Sequence, residues 1–96
     1  MGLLDGFLNY VQREQRHADN TVEAYRSDLS EFFGFLNVHL GDTPSIRSFA
    51  QLQARDIRAF LAHRRRDGLA DASIARLLSA IKSFYKWLDR AHGVEN

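Results

Sequence analysis

Arg64, Arg65, Arg66, Arg76, Lys82, Lys86 and Arg90 crowd the second half of a 96-residue chain. Residues 1–48 hold four Arg against seven acids, and residues 49–96 hold nine Lys and Arg against five, although the whole chain carries only +1. Cations gathered this way suit an anionic partner, and a solvated helix face produces the same pattern, so both readings stay open. Other chemistries lack their residues. With no Cys there is no disulfide scaffold, thiolate metal site or cysteine nucleophile. His17, His39, His63 and His92 are widely separated, and Asp89 with His92 supplies only two of the ligands a zinc site needs. The Gly residues are singletons, which excludes a phosphate-cradling loop, and no Ser sits in a nucleophile motif. Asp28 and Glu31 read as carboxylates on a helix surface, without a cleft to shift their pKa. No catalytic residue, metal or cofactor is expected.

The length fits one domain. At 45% apolar and 11% aromatic residues the chain can build a core, which argues against disorder. No apolar stretch approaches the ~18–20 residues that cross a bilayer, and no basic region precedes the first apolar residues as in a secretory signal. A soluble cytoplasmic domain without a membrane partner is the expectation.

Four segments carry helical periodicity, predicting helices at about residues 3–15, 21–40, 54–66 and 72–91. Leu4, Phe7, Leu8 and Val11 mark the first. Val22, Tyr25, Leu29, Phe32, Phe33, Leu36 and Leu40 mark the second, with Asn20 or Thr21 as its cap. Ile57, Phe60 and Leu61 mark the third, which ends in three Arg ahead of Gly68. Ile74, Leu77, Leu78, Ile81, Phe84, Tyr85 and Leu88 mark the fourth, with Asp71 as cap and Gly93 as stop. Residues 41–45 and 67–68 are the clearest breaks, and a third follows residues 16–19. Residues 45–53 have room for a short helical turn, with Ile46, Phe49 and Leu52 packing down. Helices this short need one another, so the expected fold is an all-α bundle.

Opposite its apolar stripe, the fourth helix carries Ala72, Arg76, Ser79, Ser83, Lys86 and Arg90, without an acid. The second carries Asn20, Glu23, Ala24, Ser27 and Glu31. Short side chains allow close approach to a duplex, hydroxyls donate to phosphates, and Arg can read guanine edges. A plain solvent face remains the competing reading. Phe35 and Val38 fall off the main stripe of the second helix and are candidates for an exposed apolar patch.

Residues 20–29, Asn-Thr-Val-Glu-Ala-Tyr-Arg-Ser-Asp-Leu, resemble the N-T-x-x-x-Y-x-x-D-L signature of tyrosine-recombinase core-binding domains. Residues 56–61, Asp-Ile-Arg-Ala-Phe-Leu, resemble that family's D-I-x-x-F-L segment. Residues 73–88, Ser-Ile-Ala-Arg-Leu-Leu-Ser-Ala-Ile-Lys-Ser-Phe-Tyr-Lys-Trp-Leu, are similar to its S-x-x-R-x-L-S-A-x-R-x-F-Y-x-Y-L stretch. The three segments stand in order across nearly the whole chain, and the pattern is similar to the bacterial XerC type.

The resemblance implies a four-helix SAM-like orthogonal bundle over residues 1–96. Its second and fourth helices would turn their N-terminal parts to the major groove of double-stranded recombination-site DNA. A separate C-terminal catalytic domain would complete the clamp and hold the nucleophilic tyrosine, a part that Tyr10, Tyr25 and Tyr85 do not play. Thr21, Ala24, Ser27, Ala72, Ser73 and Arg76 are the implied groove contacts, Arg76 foremost. Ser79, Lys82, Ser83 and Lys86 follow as phosphate contacts. Lys82 stands where the family often has Arg, which keeps the charge and loses the bidentate fork. Thr21 and Ser73 can equally serve as helix caps, and Arg76 can pair with an acid. The family implies a tetramer with a sister, XerD-like recombinase, built partly through first helices, so Leu3, Leu4 and Phe7 can face a partner. An all-α protein–protein module without nucleic acid is the alternative function.

Overall fold

Five α-helices, and no strand among the described residues, make up the computed structural model, which describes residues 2–14 and 19–94. They are α1 (Leu3–Glu14), α2 (Asp19–Leu40), α3 (Ile46–Gln51), α4 (Ala54–Arg66) and α5 (Asp71–His92). The all-α expectation holds, with boundaries within two residues of those read from periodicity wherever residues are described. The expected end of the first helix at Gln15 falls outside the described residues, and the break expected at Asn20 and Thr21 is instead the first turn of α2. The short turn after Pro44 is a helix of its own. Ser45 starts it: its hydroxyl accepts the Ser48 N–H (3.2 Å), and the Ser48 hydroxyl accepts the Ser45 N–H in return (3.1 Å).

The caps differ from expectation. Asn20 and Thr21 lie inside α2, which already includes Asp19. Asp71 is the first helical residue of α5, where its charge faces the helix dipole, and Ala70 is the cap without a side-chain bond. Gly68 and Gly93 do take the left-handed conformation, at φ 96° and 68°. Beyond Gly93 the chain turns back, the Val94 N–H reaching the Leu88 carbonyl (3.3 Å) and burying Val94.

The core is aromatic. Phe7 of α1, Phe32 of α2, Phe49 of α3, Phe60 of α4 and Phe84 of α5 are all fully buried, one from each helix. Phe84 meets Phe7 edge-on at 5.5 Å and Phe49 at 5.0 Å, while Phe32 packs on Phe60 at 5.1 Å. Burying each ring contributes roughly 1.5–3 kcal/mol before chain entropy is counted. Tyr85 sits at the core edge and donates its hydroxyl hydrogen bond to the Phe49 carbonyl (2.8 Å), tying α5 to α3. Ile46, Leu40 and Trp87 depart from the burial read from sequence, and of the two readings of Phe7 the core one holds. Ile46 and Leu40, at helix ends, are 39% and 41% exposed. Phe7 faces the core and not a partner, because α1 packs on both α2 and α5. Trp87, outside the stripe read from sequence, is buried where Gly6 of α1 lets it approach.

A second tie joins the far end of α2 to α4. His39 Nε2 lies 3.0 Å from Asp56 Oδ1, and Asp56 Oδ2 accepts the Gln53 N–H at 2.8 Å. The backbone donor and His39 together hold the Asp56 carboxyl below its ordinary range. A carboxylate with a depressed folded pKa stabilises above its unfolded value and loses that contribution as pH falls through the folded one. Wild type is therefore expected to be more stable than Asp56→Asn at neutral pH. The gap should close below about pH 4, as read by denaturant melts across pH.

A Cβ on Gly6 would sit 3.0 Å from the Trp87 ring, whereas one on Gly34 would meet nothing within 4 Å. Gly34→Ala should gain about 0.5–1 kcal/mol by removing helix-interior glycine entropy. Gly6→Ala should forfeit that gain to overpacking, and paired chemical melts would show the difference.

Candidate nucleic-acid interface

Asp28 and Arg76, 48 positions apart, meet where α2 and α5 pack together. Arg76 Nε donates to Asp28 Oδ2 and Arg76 Nη2 to Asp28 Oδ1, both at 2.9 Å. Asp28 is not a surface carboxylate as its sequence context implied: its side chain is only 6% exposed, while that of Arg76 is 49% exposed. The reason is tertiary, since α5 lies across the flank of α2 that helical periodicity alone left open. The Asp28 hydrogen bonds and charge raise the Arg76 pKa further, so the guanidinium stays charged throughout.

Candidate residues precede this pair on both helices. Thr21, Ala24 and Asp28 follow one row of α2 at i, i+3 and i+7, and Ala72, Ser73 and Arg76 follow one row of α5. Thr21 and Ala72 each lie within about 11 Å of rise from the pair along their helix. Ser27, Ala72 and Arg76 are exposed, and Thr21, Ala24 and Ser73 are half-buried. Further along α5, Ser79, Lys82 and Lys86 are exposed and Ser83 is half-buried. No ion pair reaches Lys82 or Lys86 among the described residues. The outer face of α5 thus offers uncompensated charge only beyond the Arg76 contact.

Arg90, at the end of the same face, donates to the Tyr10 hydroxyl of α1 (3.2 Å) and stands 5.9 Å over its ring. Sequence spacing carried no signal for that pairing across 80 positions. Asp28 had one, as the acid of the Y-x-x-D-L segment, just as Arg76 is the base of S-x-x-R. Of the three terminal arginines of α4, Arg64 is engaged by Asp67 (3.1 Å) and by Glu31 of α2 (3.7 Å), while Arg65 and Arg66 are exposed. Val38 is 84% exposed, whereas Phe35 is half-buried, stacked on His39 at 5.2 Å and near His63 at 5.5 Å. Among the described residues there is no group of three or more His, Cys, Asp or Glu able to hold a metal. No helix there is long and apolar enough to cross a membrane.

Residues 4–92 match the phage integrase, N-terminal SAM-like domain family. The chain belongs to that family. Among curated relatives, this SAM-like domain is 43% identical over 84 residues to the tyrosine recombinase XerC of Agrobacterium fabrum, covering 88% of the chain. It is 42% identical over 88 residues to the XerC of Methylobacterium nodulans, covering 91%. It is 39% identical over 84 residues to that of Bradyrhizobium diazoefficiens, covering 88%. The alignments span only 27%, 27% and 26% of those relatives' own lengths. No solved structure matches.

The pair that organises the SAM-like domain should respond asymmetrically to mutation. Arg76→Met strands a buried carboxylate and should cost up to about 3 kcal/mol. Asp28→Asn leaves a guanidinium that water can solvate on its open side and should cost about 1 kcal/mol. Urea melts of the two single variants and the double variant read both values and their coupling.

Proposed function

We propose that this chain is the DNA-binding, core-binding domain of a site-specific tyrosine recombinase of the XerC type. It would grip double-stranded DNA through the converging faces of α2 and α5, and cleavage and rejoining of strands would belong to a catalytic domain elsewhere in the full-length protein. The observation that carries this reading is the meeting of α2 and α5 at the Asp28–Arg76 contact, preceded on each helix by small residues that are exposed or half-buried. Family membership supports it. Ala24 and Ala72 let the helices approach the groove, and Thr21, Ser27 and Ser73 offer hydroxyls. Ser79, Lys82, Ser83 and Lys86 take phosphates on the flank.

In the full-length protein the same domain would work in the cytoplasm as one arm of a clamp, within a tetramer that includes a sister recombinase. Leu3 and Leu4 are half-buried and keep part of their surface for such a neighbour; Phe7 does not. Chromosome-dimer resolution and integration of a mobile element both fit. One arm alone neutralises few phosphates, so its affinity should be low and fall steeply with salt.

A titration of the 96-residue chain with labelled duplex at about 50–200 mM salt tests the reading. Binding is expected at the low end, with amide shifts confined to residues 20–27 and 72–83. Lys82→Gln with Lys86→Gln should flatten log K against log salt by about 1.8, near 0.9 per lost phosphate contact. Undisturbed spectra with protein in large excess at low salt would overturn the reading and favour an all-α protein-binding module.

A further inference from the structure

Resting on the DNA reading above, we infer that Arg76 reads a guanine in the major groove and that Asp28 is the positioning residue that aims it. An arginine carries five N–H donors. Asp28 takes the Nε donor and one on Nη2, side-on, at 2.9 Å each. The end-on fork made by the remaining Nη1 and Nη2 hydrogens has no partner among the described residues, and the side chain is 49% exposed. Two parallel N–H groups are what guanine O6 and N7 accept from arginine.

The charge distribution separates this use from phosphate binding. Phosphate contacts gain their free energy from net cationic charge and counterion release. The Asp28–Arg76 unit is neutral, so it has little of that to offer, whereas Lys82 and Lys86 are uncompensated. What the unit has is rigidity, because a nearly fully buried carboxylate fixes the plane of the guanidinium before any ligand arrives. Such pre-organisation lowers the entropy lost on binding and favours a geometric reader. The other paired arginines lack this. Arg26 stands 3.5 Å from Glu23 and 4.0 Å from Asp5, both exposed, and Arg64 meets Asp67 through one nitrogen. One turn before Arg76 stand the short residues Ala72 and Ser73, and one turn before Asp28 stands Ala24, so the guanidinium is the longest group of the set.

The test enriches the 96-residue chain's preferred duplexes from a pool with a randomised central segment, and measures salt dependence on the winners. Wild type should select a guanine at one fixed position by roughly tenfold or more. Arg76→Lys should lose that preference while keeping the salt slope. Asp28→Asn, which uncovers the Arg76 charge, should weaken the preference severalfold without flattening the slope. The double variant Asp28→Asn with Arg76→Gln keeps a neutral hydrogen-bonding pair between the helices. It should fold, by circular dichroism, and select no guanine there. A slope reduced by about 0.9 in the double variant, with base preference intact, would make Arg76 a phosphate contact and overturn the inference. Preference and slope both intact in every variant would reduce the pair to a tie between helices, overturning it equally. Wild-type binding without any base preference also overturns it. A wild type that binds no duplex in the pool overturns the DNA reading itself, a failure distinct from these.

Discussion

A two-point ion pair between Asp28 and Arg76 is the constraint on which the candidate interface depends. Hydrophobic packing brings α2 and α5 together but is non-directional, and it tolerates sliding of one helix along another. Two parallel hydrogen bonds at 2.9 Å do not. A buried carboxylate left without its partner is expensive, so the pair admits one register of α5 on α2 far more readily than any other. In that register Ala24 and Ala72 each stand one turn before the pair on their own helix.

The rest of the molecule makes that register rigid. One fully buried phenylalanine from each of the five helices meets in a single cluster, and Phe84 of α5 touches rings of both α1 and α3. The short helix α3 is held by its reciprocal serine cap and by the Tyr85 hydroxyl on the Phe49 carbonyl. The closure of α5 by Gly93 and Val94, and the His39–Asp56 tie between α2 and α4, limit movement at the remaining ends. Side chains on helices so braced have little conformational freedom left to lose.

The surface chemistry divides along α5. Near its start the outward residues are small and the only cation is already compensated by Asp28. Further on, Lys82 and Lys86 carry free charge. A duplex lying along this face would meet shape and hydrogen-bond donors first and electrostatic attraction beside them, which is how phosphate contacts position a protein while base contacts specify. The XerC relatives matched by this SAM-like domain are several times its length.

The residue pattern alone determined the helix content, the stripes from Leu29 to Leu36 and from Ile74 to Leu88, and the left-handed glycines at 68 and 93. These are local consequences of a 3.6-residue period and of glycine's freedom at positive φ, and neither needs a partner segment. The outward faces of α2 and α5 were legible for the same reason. Tertiary structure alone decided that Asp28 is buried, that Arg76 is held by it, that Trp87 packs over Gly6 and that Ile46 is left in solvent. Each depends on which helix lies against which flank, and an amphipathic stripe specifies that a face is covered without specifying by what. Long-range pairings such as Asp28 with Arg76 leave no periodic trace, because their separation along the chain is set by the intervening helices and turns.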